Sequence, residues 1–107
     1  LQASDRVLFF TRAECPACDA LLQRLLQRLD TVAGIDIYLI GVSGEGDQAV
    51  RAWARQHDIR LDWVRSRKVT LNHDAGALEQ LTAGKGEVPA LMRRRGEEVS
   101  PLRAGDL

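Results

Sequence analysis

The chain has 107 residues, 45% of them hydrophobic and 28% charged, which suits one globular domain with a single core rather than two. Its 15 basic residues balance 15 acidic ones for a formal net charge of zero, so the electrostatic footprint of a nucleic-acid binder is missing. No stretch approaches the ~20 apolar residues that span a bilayer, and two cysteines are too few for a disulfide-stapled scaffold. No signal peptide is visible, yet the chain opens at Leu1 rather than Met. We read this as a processed or shortened chain from which a signal or anchor has been removed.

Arg6-Val7-Leu8-Phe9-Phe10 is a short apolar run and reads as a buried, central, parallel strand. Thr11 to Glu14 is polar and reads as a loop. A helix begins at Cys15, with Pro16 at the first helical position, where its fixed φ and missing N–H cost nothing. Leu21, Leu22, Leu25, Leu26 and Leu29 line one face and Gln23, Arg24, Gln27 and Arg28 the other, the pattern of an amphipathic helix laid on a sheet. The helix is expected to end near Asp30, with Gly34 in the turn beyond. Ile35 to Val42 is the second strand and Ser43-Gly44-Glu45-Gly46 a loop. Asp47 is placed to cap the next helix, whose Val50, Trp53, Ala54 and His57 share a face.

Ile59 to Arg67 resists assignment, because Trp63 and Val64 call for burial while charged residues interleave them. Val69 to Asn72 is a short strand. Asp74 is placed to cap a third helix that turns Ala75, Leu78 and Leu81 inward, closed by Gly84-Lys85-Gly86. Val88 to Met92 is a strand, Gly96-Glu97 a tight turn, and Val99 lies on the return strand. Arg93, Arg94 and Arg95 read as a solvated sheet edge that discourages pairing between sheets. The alternation β-α-β-α-β-α-β-β predicts an α/β layered fold with a parallel core and an antiparallel terminal hairpin. There is no internal repeat, low-complexity segment or linker.

Cys15 and Cys18 are the chain's cysteines, and three readings compete for them. Their position after a buried strand and at the first turn of a helix favours a redox pair. A helix N-terminus presents unpaired N–H groups and partial positive charge, which stabilise a thiolate, the nucleophilic form. Cys15 at the exposed rim would attack, and Cys18, one turn further in, would resolve the mixed disulfide. A zinc site needs four ligands, and His57 and His73 lie too far apart to match the about 3–5 residue spacing of finger-like sites. The third reading is a structural or vestigial pair in a fold used only for binding. His57 reads as a core or helix-end residue, where a cation suits the C-terminal dipole, and His73 as a loop residue.

The strand VLFF, the CPAC after its loop, the helix, the strand IDIYLIGV and the later VPALMRRRGEEV together resemble the thioredoxin fold, from Arg6 to Ser100. The resemblance implies an α/β, three-layer α/β/α sandwich around a mixed central sheet. It implies one domain over 1–107, with an α-β insertion over about 43–68 and a frayed tail at 101–107. It further implies that Pro89 is a cis-proline lying against Cys15 and Cys18, and that Val88 offers backbone groups to an extended substrate beside Pro16 and Ala17. The activity implied is thiol–disulfide exchange, with the Cys15–Cys18 disulfide as redox group and neither metal nor organic cofactor. The implied partners are cysteine-containing protein substrates and a membrane or soluble thiol redox partner, with no nucleic acid.

The stretch IYLIGVSGEGDQAVRAWARQHDI is similar to the periplasmic thioredoxin-like proteins of conjugative elements, which implies a periplasmic location and substrates in a conjugative or secretion apparatus. The alternative implied by the same resemblance is a non-catalytic scaffold of a conjugation system. Two positions depart from the thioredoxin pattern. Phe9 stands where thioredoxins carry a buried aspartate, and Glu14 where they carry a tryptophan. A carboxylate at Glu14 disfavours a Cys15 thiolate, and Arg12 offsets it.

Overall fold

The structure is a computed structural model that describes residues 1–41, 47–73, 76, 78 and 87–107, Asp47 by its backbone alone. β1 (Arg6–Thr11) buries every side chain after Arg6, and a strand covered on both faces belongs in the middle of a sheet. β2 (Gly34–Leu39) and β3 (Val69–His73) run parallel to it on one side, while on the other β4 (Ala90–Arg95) runs antiparallel to it and β5 (Glu98–Pro101) antiparallel to β4. The strand order is β3-β2-β1-β4-β5, a mixed sheet with β1 central, parallel to β2 and antiparallel to β4.

The period-2 alternation of the strands sorts their side chains into two apolar layers. Val7, Phe9, Ile35, Ile37, Leu39, Val69 and Leu91 face the helices α1 (Pro16–Gln27) and α2 (Asp47–Gln56), which bring Leu22, Leu25, Val50 and Trp53. Leu8, Phe10 and Met92 face the other way and pack with Leu78, which lies in a helix. Of the expected third helix, Leu78 is buried as anticipated, while Asp74, Ala75, Leu81 and the Gly84-Lys85-Gly86 closure lie outside the described residues. The Ser43–Gly46 loop and the capping role of Asp47 lie outside them as well. No helix among the described residues is long and apolar enough to cross a membrane.

Several boundaries shift for local reasons. α1 stops at Gln27 and a 3₁₀ turn, Leu29–Thr31, carries the chain onward. Thr31 Oγ1 donates to the Arg28 carbonyl at 2.7 Å, occupying an acceptor that a continued helix would use. β2 stops at Leu39 because its neighbour β1 stops at Thr11. Ile40 N–H makes a last bond to the Thr11 carbonyl, and Gly41, at φ +77°, turns the chain away. The unassigned stretch holds a five-residue helix, α3 (Leu61–Arg65), with Trp63 and Val64 packed on the core and Leu61 exposed. The described part of 43–68 is therefore α2 and α3, and the strand expected with them comes later, as β3.

Two expectations are overturned. Arg93–Arg95 do not form a solvated edge, because β5 pairs along β4 and puts these residues on an interior strand. Arg94 and Arg95 instead reach the carboxylates of Asp36 and Asp5. The tail is not frayed either. Leu102 N–H donates to the Leu91 carbonyl, Leu102 and Leu107 pack on the core, and a 3₁₀ turn spans Ala104–Asp106. Arg24 and Arg28 of the α1 side hold it through the carbonyls of Ala104 and Leu107 at 3.1 and 3.4 Å.

Candidate functional site

β1 delivers the chain to the cysteine pair. After Thr11 the segment Arg12–Glu14 crosses the end of the sheet, and Glu14 turns the backbone at φ +57°, a left-handed conformation uncommon outside glycine. Cys15 then takes an extended conformation, φ −124° and ψ 92°, as the N-cap of α1, with Pro16 in the first turn. The Asp19 N–H bonds the Cys15 carbonyl at 3.0 Å, closing the first helical turn.

Cys15 and Cys18 are joined by a disulfide, with Cα atoms 5.2 Å apart, within the span such a bond requires. The Cys18 N–H donates to Cys15 Sγ at 3.2 Å. One of the free donors of the helix N-terminus is thus aimed at the sulfur that would carry charge once the bond opens. Cys18 is fully buried, and Cys15 keeps only 5% of its surface exposed. The expected exposed rim is therefore narrower than the spacing suggested, because the bond to Cys18 and its amide draw the Cys15 sulfur inward. Both sulfurs rest in the apolar layer that contains Phe9, Leu22 and Leu39. Phe9, where thioredoxins carry an acid, is itself fully buried.

The register of β4 brings a second element to this end of the sheet. Ala90 pairs with Phe10, next to the last residue of β1, so the preceding Val88 and Pro89 lie at the end from which β1 leads to Cys15. Their peptide bond is cis. Val88 and Pro89 are half-buried, and Val88 packs against the layer that holds both cysteines. Pro16 and Ala17 are exposed. Two open clefts of about 510 and 730 Å³ flank β3, one lined by Asp36, Tyr38 and Arg94 among others, the other by Val50, Ala54 and Ile59. Neither is lined by Cys15, Cys18, Val88 or Pro89.

No group of three or more His, Cys, Asp or Glu side chains gathers for a metal among the described residues. The sulfurs are bonded to each other. His57, one candidate ligand, lies 2.9 Å from Asp19 Oδ1 through Nε2 and 2.7 Å from the Trp53 carbonyl through Nδ1. The helical period placed His57 on the buried face of α2. Its contact with Asp19, 38 residues away in sequence, carried no local signal.

Residues 2–96 match the profile of the AhpC/TSA family. Among curated proteins none matches the chain. Two solved structures share its fold. One is a secreted Mycobacterium tuberculosis disulfide oxidoreductase homologous to E. coli DsbE, at 15% identity and a TM-score of 0.56, with 99% of this chain and 78% of that one covered. The other is StoA from Bacillus subtilis, at 18% identity and a TM-score of 0.51, with 98% and 80% covered. The mixed sheet with apolar layers on both faces is thus a thioredoxin-like α/β fold.

Proposed function

This chain belongs to the AhpC/TSA family, and from that premise we propose that it is a thiol–disulfide oxidoreductase working through Cys15 and Cys18. The observation that carries the reading is the disulfide between the N-cap and the first turn of α1. There the helix terminus stabilises a thiolate on the outer sulfur. In the oxidising direction a substrate thiolate attacks Cys15 Sγ. A substrate–Cys15 bond forms as the Cys15–Cys18 bond breaks, and the Cys18 sulfur leaves and takes up a proton. A second substrate thiolate then attacks the substrate sulfur of this mixed disulfide and releases Cys15. The substrate has lost two electrons and gained a disulfide, and the protein holds two thiols. The reverse sequence reduces a substrate disulfide, with Cys18 resolving.

Val88 and Pro89, with the exposed Pro16 and Ala17, form the surface against which a substrate segment lies in this reading. Their support is the register that carries β4 to the sheet end where β1 leads to Cys15. The substrates are cysteine-containing proteins, and a membrane or soluble thiol partner resets the pair. The finer reading is a periplasmic protein serving a conjugative or secretion apparatus. It rests on the likeness of the Ile37–Ile59 segment to such proteins and on the secreted nature of one structural neighbour.

Trapping tests the activity. Cys18→Ser expressed in cells is expected to accumulate mixed disulfides through Cys15, and Cys15→Ser to accumulate none. A Cys18→Ser variant that shows no adduct on non-reducing gels would rule the enzyme out and leave the scaffold. The identity and compartment of the trapped proteins test the finer reading, and adducts made only with cytoplasmic proteins would overturn it.

A further inference from the structure

His57 follows α2 directly and reaches across to α1. Its two ring nitrogens face the Asp19 carboxylate at 2.9 Å and the Trp53 carbonyl oxygen at 2.7 Å. Both partners are acceptors. A neutral imidazole has one N–H and serves only one of them, whereas the imidazolium donates to both. The ring stacks on Trp53, centroids 4.4 Å apart and planes at 24°, an arrangement that attracts a cation. The His57 N–H also bonds the Trp53 and Ala54 carbonyls, which places the residue at the negative end of the α2 dipole. The charged group that α1 sets against the ring is Asp19, and the charged neighbours on its own segment are Arg55 and Asp58. Among the described residues no other carboxylate pairs with it.

Asp19 in turn belongs to the redox turn. It follows Cys18 directly, and its N–H bonds the Cys15 carbonyl. Asp19 therefore stands one helical turn beyond the N-cap that carries the Cys15 sulfur. A bare carboxylate there opposes a thiolate on Cys15 and cancels part of what the helix terminus gives. Paired with an imidazolium, it presents little net charge.

We propose that His57 is a positioning residue for the redox pair: it holds Asp19 in a compensated ion pair, so that the carboxylate does not oppose the Cys15 thiolate. This rests on the thiol–disulfide reading above. Stabilising the thiolate stabilises the reduced protein, so the His57–Asp19 pair makes the disulfide easier to reduce.

The test is the equilibrium of the full chain with mixtures of reduced and oxidised glutathione, read by thiol alkylation. His57→Gln keeps a polar side chain and loses the cation. The equilibrium is expected to move toward the disulfide by about threefold to tenfold, the lower part of the range for a nearby charge because Asp19 is partly exposed. The double variant Asp19→Asn/His57→Gln removes the carboxylate as well and is expected within about twofold of the parent, since distant structural effects would not cancel in such a cycle.

Asp19→Asn alone keeps the ring in place and keeps the test available should His57→Gln fail to fold. It is expected to leave the equilibrium unmoved or to shift it toward the dithiol. An unmoved His57→Gln, a double variant shifted as far as the single one, or an Asp19→Asn shift toward the disulfide each overturns the inference. A parent protein whose Cys15–Cys18 bond never exchanges with glutathione overturns the thiol–disulfide reading itself, and this inference with it.

Discussion

Arg6 and Asp36 join the first two strands through a two-pronged ion pair, Arg6 Nη2 to Oδ1 at 2.7 Å and Nε to Oδ2 at 3.0 Å. Thr70 Oγ1 donates to the same carboxylate at 2.7 Å, and Arg94 Nη2 approaches it at 3.4 Å. Burial pushes the Asp36 carboxyl up, but the Arg6 and Thr70 hydrogen bonds and the two guanidinium charges together hold it below the ordinary aspartate value of 3.8. Asp5 is held low as well, first by the Arg95 hydrogen bonds, at 2.7 and 2.9 Å, against its own burial. With both folded carboxyls depressed, the unfolded chain binds protons first as the solution is acidified, so stability is complete above the ordinary value and drains away below it. Urea midpoints are expected to stay level from neutrality to about pH 4.5 and to fall steeply below about pH 4, given an unfolded Asp near 3.9. Asp36→Asn should flatten that fall. A parent midpoint unchanged at pH 3 would contradict the assignment.

Gly34 touches this ion pair. A β-carbon there would stand 2.5 Å from Arg6 Nη1 and 2.7 Å from Cζ and Nη2. Such a contact costs little when the neighbour is the free end of a long side chain, but this guanidinium is tied to Asp36 and to the Arg67 carbonyl, at 3.1 Å. Gly34→Ala is therefore expected to destabilise by about 1–2 kcal/mol, the lower part of the range for overpacking. In an Asp36→Ala background, where Arg6 can swing away, most of that cost should vanish, a coupling of about 1 kcal/mol. Equal costs in both backgrounds, measured by urea unfolding, would show that the guanidinium is not what resists.

The two cysteines should differ in the reduced protein. Cys15 keeps a sliver of exposure and receives the Cys18 N–H, while Cys18 is sealed among apolar side chains. Because thiolate fraction and access both govern alkylation, iodoacetamide is expected to modify Cys15 at least about tenfold faster than Cys18. Mass spectrometry of partly alkylated protein gives the ratio, and equal rates would remove the distinction between attacking and resolving sulfur.

Much of this was legible in the chain because the signals were periodic and local. The leucine face of α1, the apolar runs of β1 and β2, the Gly96 turn and the strand–CPAC–helix order each declare themselves within a dozen residues. α3 did not, since five residues give little more than one turn in which to show a 3.6-residue period. The arginine run misled for another reason. A charge is solvated by default, and nothing near Arg95 in sequence announces that Asp5 waits for it 90 residues earlier. His57 sits between these cases: its helical face was readable, while its partner belonged to tertiary structure.

The C-terminal segment was misread for want of a period, and it offers the last test. "SPLRAGDL" has two leucines and no pattern, yet Leu102 and Leu107 pack on the core layer and the Arg103 N–H donates to Asp106 Oδ2 at 3.0 Å across the 3₁₀ turn Ala104–Asp106. Each half-buried leucine contributes about 1 kcal/mol, while the exposed hydrogen bonds from Arg24 and Arg28 add a few tenths at most, well under the about 1 kcal/mol of a typical protein hydrogen bond. Ending the chain after Pro101 is therefore expected to lower stability by about 2 kcal/mol, and Leu102→Ala alone by about half of that. Because Leu102 also fastens its N–H to the Leu91 carbonyl of β4, next to the strand end that carries Pro89, the shortened chain should also exchange the β4 amides faster. Urea midpoints and hydrogen exchange check the two effects. A shortened chain as stable as the parent would mean that these leucines contribute nothing to the core.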